Sequence, residues 1–316
     1  MPSPRPEVEA WSAMVSPPTD RVVAITEFLA ARPGTPATVA ELVRHLGINR
    51  ATCHAVLAAL VRAGWVVRDP VDRTFTPGPA LIAIGRAAES GVPAARAADR
   101  ELAALVADLG MAASIGYPSG EHIVVGGRLE GGHVTPEEVR VGQRIPFAPP
   151  FGPGLVAWGT ERDIAAWLAR APHADAEGLL RLRRVLAAVR SRGYTVESST
   201  PASARLRALL VELDSLSPRQ LPVVAELLHE ISAIEYLDGD LREGRTHPVG
   251  VMSAPAFAGD GRAALNISVY VWADLDPAGI RAVGDRLLTA SHAVTAELRG
   301  NAPDDFPRPS GARPAR

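Results

Sequence analysis

Arg50, Thr52 and His54 are the residues whose types and spacing best suit binding chemistry in this sequence. They fall near the start of the segment RATCHAVLAALVRAG, whose apolar residues recur at helical spacing. Arg50 and Thr52 can donate hydrogen bonds to phosphates or base edges, and His54 can reach either target. The apolar side of the same helix comprises Cys53, Val56, Leu57 and Leu60. We therefore predict a helix that packs on one side and contacts nucleic acid on the other.

The elements that position this helix can be predicted from local sequence. Asp20 is a good N-cap for a first helix, VVAITEFLAAR, and Thr38 with Glu41 forms a capping box for a second. Gly47 supplies a permissive turn, after which Asn49 caps the third helix. The β-prone runs WVVRD and RTFTP then flank a turn and predict a hairpin. This order over residues 20–78 is typical of a winged helix-turn-helix.

The hairpin, or wing, adds two arginines to the predicted surface. Arg68 and Arg73 would lie along the DNA backbone or enter the minor groove. From Arg21 to Phe75 there are seven arginines against four acidic residues, although the formal net charge of the chain is −2. A basic module on an acidic remainder is typical of a DNA-binding domain with a separate second domain. The predicted DNA-binding residues are Asn49, Arg50, Ala51, Thr52, His54, Ala55, Arg68 and Arg73.

Catalytic and metal-binding patterns are missing from the sequence. His229-Glu230 begins like the zinc-protease motif, but position 233 is alanine, so a second histidine ligand is absent. A single cysteine, Cys53, builds neither a disulfide nor a closed zinc site and is better explained as core filling than as a redox switch. A phosphate-binding GxxxxGK[ST] loop is impossible because the chain contains no lysine. We predict no catalytic residues, no metal and no cofactor.

The rest of the 316-residue chain predicts a second, α+β domain. We expect a disordered arm over 1–19, a linker helix over 79–92, an antiparallel sheet flanked by helices over 93–300, and a disordered tail over 301–316. The sequence has no apolar run long enough to span a membrane and no apolar signal-peptide core. We therefore expect a cytoplasmic protein without a membrane partner.

Four ordered stretches make the sequence similar to the IclR family of bacterial transcription regulators. They are LGINRATCHAVLAALVRAGWVVRD, FTPGPALIAIG, VGQRIPFAPPFGPGLVAWG, and RGYTV followed by VMSAPAFAGDGRAALNISVY. The resemblance implies a C-terminal effector-binding domain, and a homodimer or dimer of dimers on double-stranded DNA. A dimer would place two recognition helices about 34 Å apart on a pseudo-palindromic operator.

The resemblance also implies a site for a small-molecule effector around the proline- and glycine-rich loop 147–154. Such a pocket would suit a small organic or aromatic acid. The predicted lining residues are Ser114, Gly116, Phe147, Phe151, Gly152, Gly154, Trp158, Met252, Ser253, Asn266 and Ser268.

Three departures separate this chain from the family pattern. Ala55 stands where the family often has arginine, and the loop 147–154 lacks the family's polar sequence and lysine. A helical insertion over about 201–247 is the third, and it either packs as ordinary core or forms a dimerisation or lid element. We therefore expect a ligand-responsive DNA-binding regulator. The alternatives are a DNA-binding module fused to a protein-interaction domain without an effector, and a metabolite-modifying enzyme.

Overall fold

The computed structural model describes residues 16–32, 34–91, 93–132, 139–171, 175–199, 241 and 244–310. The chain forms two compact units, Met1–Ala88 and Glu89–Arg316. The predicted disordered arm therefore lies outside the described residues up to position 15. The predicted insertion lies outside them at 201–240 and 242–243, and so does the end of the tail from 311.

The N-terminal unit has the predicted order of three helices and a hairpin. Its elements are α1 (Pro17–Ala30), α2 (Val39–Leu46), α3 (Arg50–Arg62), β1 (Val66–Arg68) and β2 (Phe75–Pro77). The strands β1 and β2 pair antiparallel. The first helix begins earlier than predicted, with Ser16 at the N-cap position and Asp20 inside the first turn. Proline at the first helical position explains this start, because a proline there loses no helical hydrogen bond.

The caps on the two central helices form as the sequence predicted. Thr38 Oγ1 accepts from the Glu41 amide at 3.3 Å, while Glu41 Oε2 accepts from the Thr38 amide at 2.8 Å. The hydrogen bonds that the Thr38 amide and the Thr38 hydroxyl donate to the carboxylate lower the pKa of Glu41. Gly47 ends α2 in the left-handed conformation at φ 63°, and Asn49 Oδ1 then accepts from the Thr52 amide at 2.8 Å. Because each cap contributes about 1 kcal/mol, the turn between α2 and α3 is fixed locally.

A small apolar core joins the three helices to the hairpin. Its fully buried members include Ile25 from α1, Leu42 from α2 and Cys53 from α3. Burial raises the pKa of the Cys53 thiol, which favours the thiol over the nucleophilic thiolate. The interpretation of Cys53 as core filling is therefore confirmed.

The C-terminal unit is an antiparallel sheet with helices, so the predicted α+β fold is confirmed. Its helices are α5 (Pro93–Leu109), α6 (Pro153–Val156), α7 (Glu161–Leu168), α8 (Ala176–Arg192) and α9 (Pro277–Glu297), after the linker helix α4 (Ala80–Gly91). Its strands are β3 (Ala112–Ser119), β4 (His122–Leu129), β5 (Arg144–Pro146), β6 (Thr195–Ser198), β7 (His247–Phe257) and β8 (Ala263–Leu275). They lie in the order β5-β4-β3-β8-β7-β6.

One face of this sheet packs on α5 and α9, and we call it the helix-side face. Ile115, Met252 and Ile267 point into this core with at most 1% exposure. The approach of α9 to the sheet depends on Gly284, because a Cβ there would lie 2.3 Å from the ring of Tyr194. Successive strand residues alternate between faces, so the neighbours of these core residues point to the opposite side, which we call the open face.

The short helix α6 contacts β7 and β8, and α7 and α8 pack beside it in a separate apolar cluster. Trp167 of α7 is fully buried there. Asp163 completes a capping box with Thr160 at the start of α7 and also accepts two hydrogen bonds from Arg262, at 2.7 and 2.8 Å. The β7–β8 hairpin is thereby tied to α7.

The tail is ordered as far as residue 310, which corrects the expectation of a disordered segment from 301. Phe306 is 5% exposed and forms edge-to-face contacts with Trp158 and Phe257. His292 Nε2 lies 2.9 Å from the Pro307 carbonyl oxygen, and the Ser310 amide donates to Asp285. One buried aromatic ring thus anchors a segment whose proline content alone favours disorder.

Candidate nucleic-acid interface and ligand site

A concave surface that encloses a volume of about 740 Å³ lies between α3 and the β1–β2 hairpin. The helix supplies one wall because Arg50, His54 and Arg62 project from turns that lie one above the other. The hairpin supplies Arg68 and Arg73 opposite them. Apolar and small side chains form the base: Val39, Ala40, Leu57, Ala58, Val61 and Phe75.

The structure brings four of the eight predicted DNA-binding residues to this concave surface: Arg50, His54, Arg68 and Arg73. All four are exposed. Sequence analysis missed Arg62, which lies eight positions after His54 on the same side of α3. Its helical spacing from Arg50 and His54 was the pattern that could have identified it.

The other four predicted residues lie beside this surface and do not line it. Asn49 caps α3, because its side-chain oxygen accepts a hydrogen bond from the Thr52 amide. Ala51 and Ala55 are exposed but carry only a methyl group. These positions lie near the start of α3, and the charged side chains among the eight predicted residues are the ones that line the concave surface.

The electrostatics of the concave surface favour a polyanion. It carries four arginines and a single acidic residue, Asp72. Arginine stays protonated at all physiological pH values and donates in a planar fork that matches phosphate oxygens. A groove of this size and charge, between a helix and a hairpin, fits a phosphodiester backbone.

The tip of the hairpin is held by one carboxylate. Asp69 Oδ1 accepts hydrogen bonds from the amides of Val71 at 2.7 Å and Asp72 at 2.9 Å. The bonds from the Asp72 and Val71 amides lower the pKa of Asp69. The Asp69 amide also donates to the Thr74 carbonyl oxygen at 2.9 Å, which closes the hairpin. The wing is therefore a fixed turn.

In the C-terminal unit, a polar row crosses five strands on the open face. Strand register places Arg128 opposite Ser114, Ser114 opposite Ser268, Ser268 opposite Ser253, and Ser253 opposite Thr195. Ser114 Oγ lies 2.9 Å from the Tyr270 hydroxyl, and Thr195 Oγ1 lies 2.8 Å from Ser253 Oγ. A few polar groups that converge on one surface can orient a small ligand.

The loop and α6 lie over one end of this row. A Cβ on Gly154 would stand 3.1 Å from Asn266 Oδ1 and 3.5 Å from Thr195 Cγ2, so α6 approaches the sheet closely there. Asn266 is paired with Gly116, and its Oδ1 is buried without a hydrogen-bond partner among the described residues. A buried amide oxygen of this kind costs free energy unless a ligand or water satisfies it.

The loop that leads into α6 is fixed from behind by α7 and the turn that follows it. Trp167 Nε1 donates to the Phe151 carbonyl oxygen and Arg170 Nε to that of Phe147, each at 2.9 Å. The ring of Phe147 packs against Gly152, where a Cβ would lie 2.7 Å from it. Gly152 adopts φ 79°, so glycine is required both for conformation and for space.

Two predicted effector residues point elsewhere. Met252 lies in the core of the helix-side face, because it neighbours Ser253 on β7 and adjacent strand residues point to opposite faces. Met252 and Ser253 therefore cannot line one wall together. Trp158 packs in the aromatic cluster with Phe257 and Phe306.

Sequence analysis also missed polar members of the row. Arg128 is held by Glu130 at 2.7 Å and lies over the ring of Tyr270 at 4.9 Å, and Thr195 ends the row on β6. Strand register brings these residues together, and register between distant strands cannot be read from periodicity alone. Within the described residues, no group of three or more His, Cys, Asp or Glu side chains is placed to hold a metal.

Known proteins resemble this chain in sequence. The family model of the IclR helix-turn-helix domain matches residues 18–70. The transcriptional regulator XynR of Escherichia coli K12 is 24% identical over 173 residues, which cover 52% of this chain and 68% of XynR. The resemblance seen in the sequence is thus confirmed.

Solved structures of IclR regulators share the fold. The regulator from Alicyclobacillus acidocaldarius superposes with a TM-score of 0.63 and 22% identity, covering 90% of this chain and 100% of that one. An IclR homologue from Microbacterium hydrocarbonoxydans, solved with 4-hydroxybenzoate, has a TM-score of 0.61 and 16% identity, covering 89% of this chain and 99% of that one. In the described part of this chain, no helix is long and apolar enough to cross a membrane.

Proposed function

We propose that this protein is a transcription regulator that binds double-stranded DNA through the concave surface between α3 and the wing, because residues 18–70 match the family model of the IclR helix-turn-helix domain. The observation that carries the proposal is the convergence of Arg50, His54 and Arg68 with Arg62 and Arg73 on that surface. Helix α3 would enter the major groove, and the arginines would grip the backbone that passes beside it. Such a regulator works in the cytoplasm.

The preferred target is a pseudo-palindromic operator bound by a dimer. Each protomer offers one recognition helix, and a two-fold dimer presents two helices to half-sites about 34 Å apart. A homodimer or a dimer of dimers would both meet this geometry. The exposed early residues of α3 would read the base sequence. The wing and the capped turn would hold them in position for this contact.

His54 is the residue of α3 best placed to read a base. It is exposed in the second turn, and it lines the concave surface beside Arg50. We expect His54→Ala to weaken binding to the operator by about 5- to 150-fold, equivalent to about 1–3 kcal/mol, and to relax the preference at one base position. The measurement is a fluorescence anisotropy titration with operator variants.

The control for His54→Ala must be a substitution outside the concave surface. Arg44→Ala serves, because Arg44 is exposed on α2 and does not line that surface. Unchanged affinity and unchanged base preference in His54→Ala would rule out base contact by this residue. A loss of the same size in Arg44→Ala would point to a general electrostatic effect.

The open face of the C-terminal sheet is the proposed effector site. The row of polar side chains ends close to Gly154, where Thr195 and the unsatisfied oxygen of Asn266 lie near α6. The structure solved with 4-hydroxybenzoate is of a protein with this fold, which supports a small aromatic or organic acid as the effector class. An effector changes DNA affinity only to the extent that it binds the two states of the dimer differently.

We expect Asn266→Ala to reduce or abolish the thermal shift that an effector produces. The test is a panel of small organic and aromatic acids, with each shift measured against the variant's own midpoint. Asn301→Ala is the matched control, because Asn301 is an exposed residue that donates to the Gly259 carbonyl oxygen, away from the row. Equal shifts in both variants would remove Asn266 from the site.

A panel without any stabilising compound would favour a C-terminal domain that binds protein partners. Turnover of a panel compound by the full chain would instead favour a metabolite-modifying enzyme.

A further inference from the structure

Val71 occupies an unusual position at the tip of the wing. Its side chain is 84% exposed, more than any other large aliphatic side chain in the described part of the protein. Pro70 precedes it and is also exposed. An isolated exposed valine is ordinary on a protein surface, so exposure alone assigns it no role. The features that set Val71 apart are its rigid support and its neighbours.

The support comes from the Asp69 carboxylate. Its bonds to the Val71 and Asp72 amides fix the backbone on both sides of the Val71 side chain. Pro70 has a fixed φ and adds no flexibility at the preceding position. The apolar tip is therefore held in one orientation before it meets any partner, so binding there costs little conformational entropy.

The neighbours supply the direction of approach. Arg68 and Arg73 stand at the base of the tip, and both line the concave surface with Arg50. Asp69 and Asp72 offset the two wing arginines, so the tip itself has no net charge. Electrostatic attraction therefore brings the wing to the DNA through the concave surface, while the tip can add only shape and apolar contact.

We propose that Val71, with Pro70, packs into the minor groove of the operator flank and favours A·T pairs there. This inference rests on the proposed DNA-binding function. The floor of the minor groove carries an exocyclic amino group at G·C pairs and lacks it at A·T pairs. An apolar tip can approach the floor only where that group is missing. Apolar side chains are known to enter the minor groove of bound DNA.

The experiment uses the full chain and a duplex from the region upstream of its own gene. Hydroxyl-radical footprinting first locates the sugars that the wing protects. Three duplexes then carry A·T, G·C or inosine·C pairs at those positions, because an inosine·C pair lacks the minor-groove amino group of G·C and keeps the same major-groove edge. We expect wild-type protein to bind the A·T and inosine·C duplexes alike, and the G·C duplex about tenfold more weakly.

Val71→Ala tests the residue, and Val67→Ala is its matched control. Val67 is the same residue type in the same hairpin, is 47% exposed, and does not line the concave surface. We expect Val71→Ala to lose the protection at the flank and bind the three duplexes within about twofold of one another, while Val67→Ala behaves as wild type.

The outcomes separate the inference from the proposed function. A Val71→Ala protein that keeps the flank preference overturns the role of Val71 alone. A wild-type protein that does not discriminate G·C from inosine·C also overturns it. A wild-type protein that binds none of these duplexes contradicts DNA binding itself. A change in oligomeric state of Val71→Ala without DNA would assign the tip to contact between copies of this chain.

Discussion

Replacing Arg50, Arg68 and Arg73 together with alanine is expected to weaken DNA binding by about 100-fold or more at physiological salt. The three side chains line the concave surface from both walls and are exposed. Each lost phosphate contact removes about 1 kcal/mol or more, and 1.4 kcal/mol corresponds to a tenfold change in affinity. Because surface substitutions change stability by less than about 0.5 kcal/mol, the variant should fold normally. Anisotropy titration and thermal unfolding measure the two effects.

A second triple variant controls for net charge. Arg245, Arg299 and Arg308 are exposed in the C-terminal unit, and their replacement removes the same number of charges. We expect this control to bind DNA within about threefold of wild type, because screening limits long-range attraction to about 10 Å at 0.1 M salt. Equal losses in the two variants would show that overall charge, and not the concave surface, drives binding.

Phe306→Ala is expected to lower the free energy of unfolding of the C-terminal unit by about 3–5 kcal/mol. The ring is 5% exposed and lies 5.0 Å from Trp158 and 4.9 Å from Phe257, measured between ring centroids. Its loss leaves a cavity lined by aromatic rings and releases the tail segment that bonds to His292 and Asp285. Urea unfolding followed by tryptophan fluorescence measures the change.

Asp305→Ala is the control in the same segment, since Asp305 is exposed. It should unfold within about 0.5 kcal/mol of wild type. A midpoint for Phe306→Ala equal to that of wild type would mean that the tail does not contribute to the core of this unit.

The N-terminal fold could be predicted from sequence because its determinants are local. The Thr38–Glu41 capping box, Gly47 and the Asn49 cap each act within four residues, and all three form as expected. The N-cap of the first helix was predicted four residues late, because Asp20 is a good cap residue but Pro17 already permits the helix to start after Ser16. The preference for aspartate as an N-cap therefore predicted the wrong one of two possible helix starts.

The proposed effector site was harder to predict because its composition depends on strand register. Ser114, Ser253 and Ser268 were selected by residue type and proximity, and the register places them in one row. Met252 was selected with Ser253 by adjacency, which ignores the alternation of strand faces. Thr195 was missed because β6 is short and its pairing with β7 spans more than fifty residues of sequence.

The order of the C-terminal tail could not be predicted from sequence for a different reason. Composition from residue 301 onward favours disorder, yet one phenylalanine buries itself between Trp158 and Phe257. A single anchor of this kind has no periodicity, so only the tertiary structure reveals it.

The salt dependence of DNA binding tests the central claim most directly. The dissociation constant of wild-type protein for its upstream duplex should rise steeply with salt, and the slope of the triple arginine variant should be smaller by about 3 per bound protomer. The charge-matched control should keep the wild-type slope. A flat salt response of the wild type, or identical slopes for the wild type and the variant, would contradict phosphate binding by the concave surface.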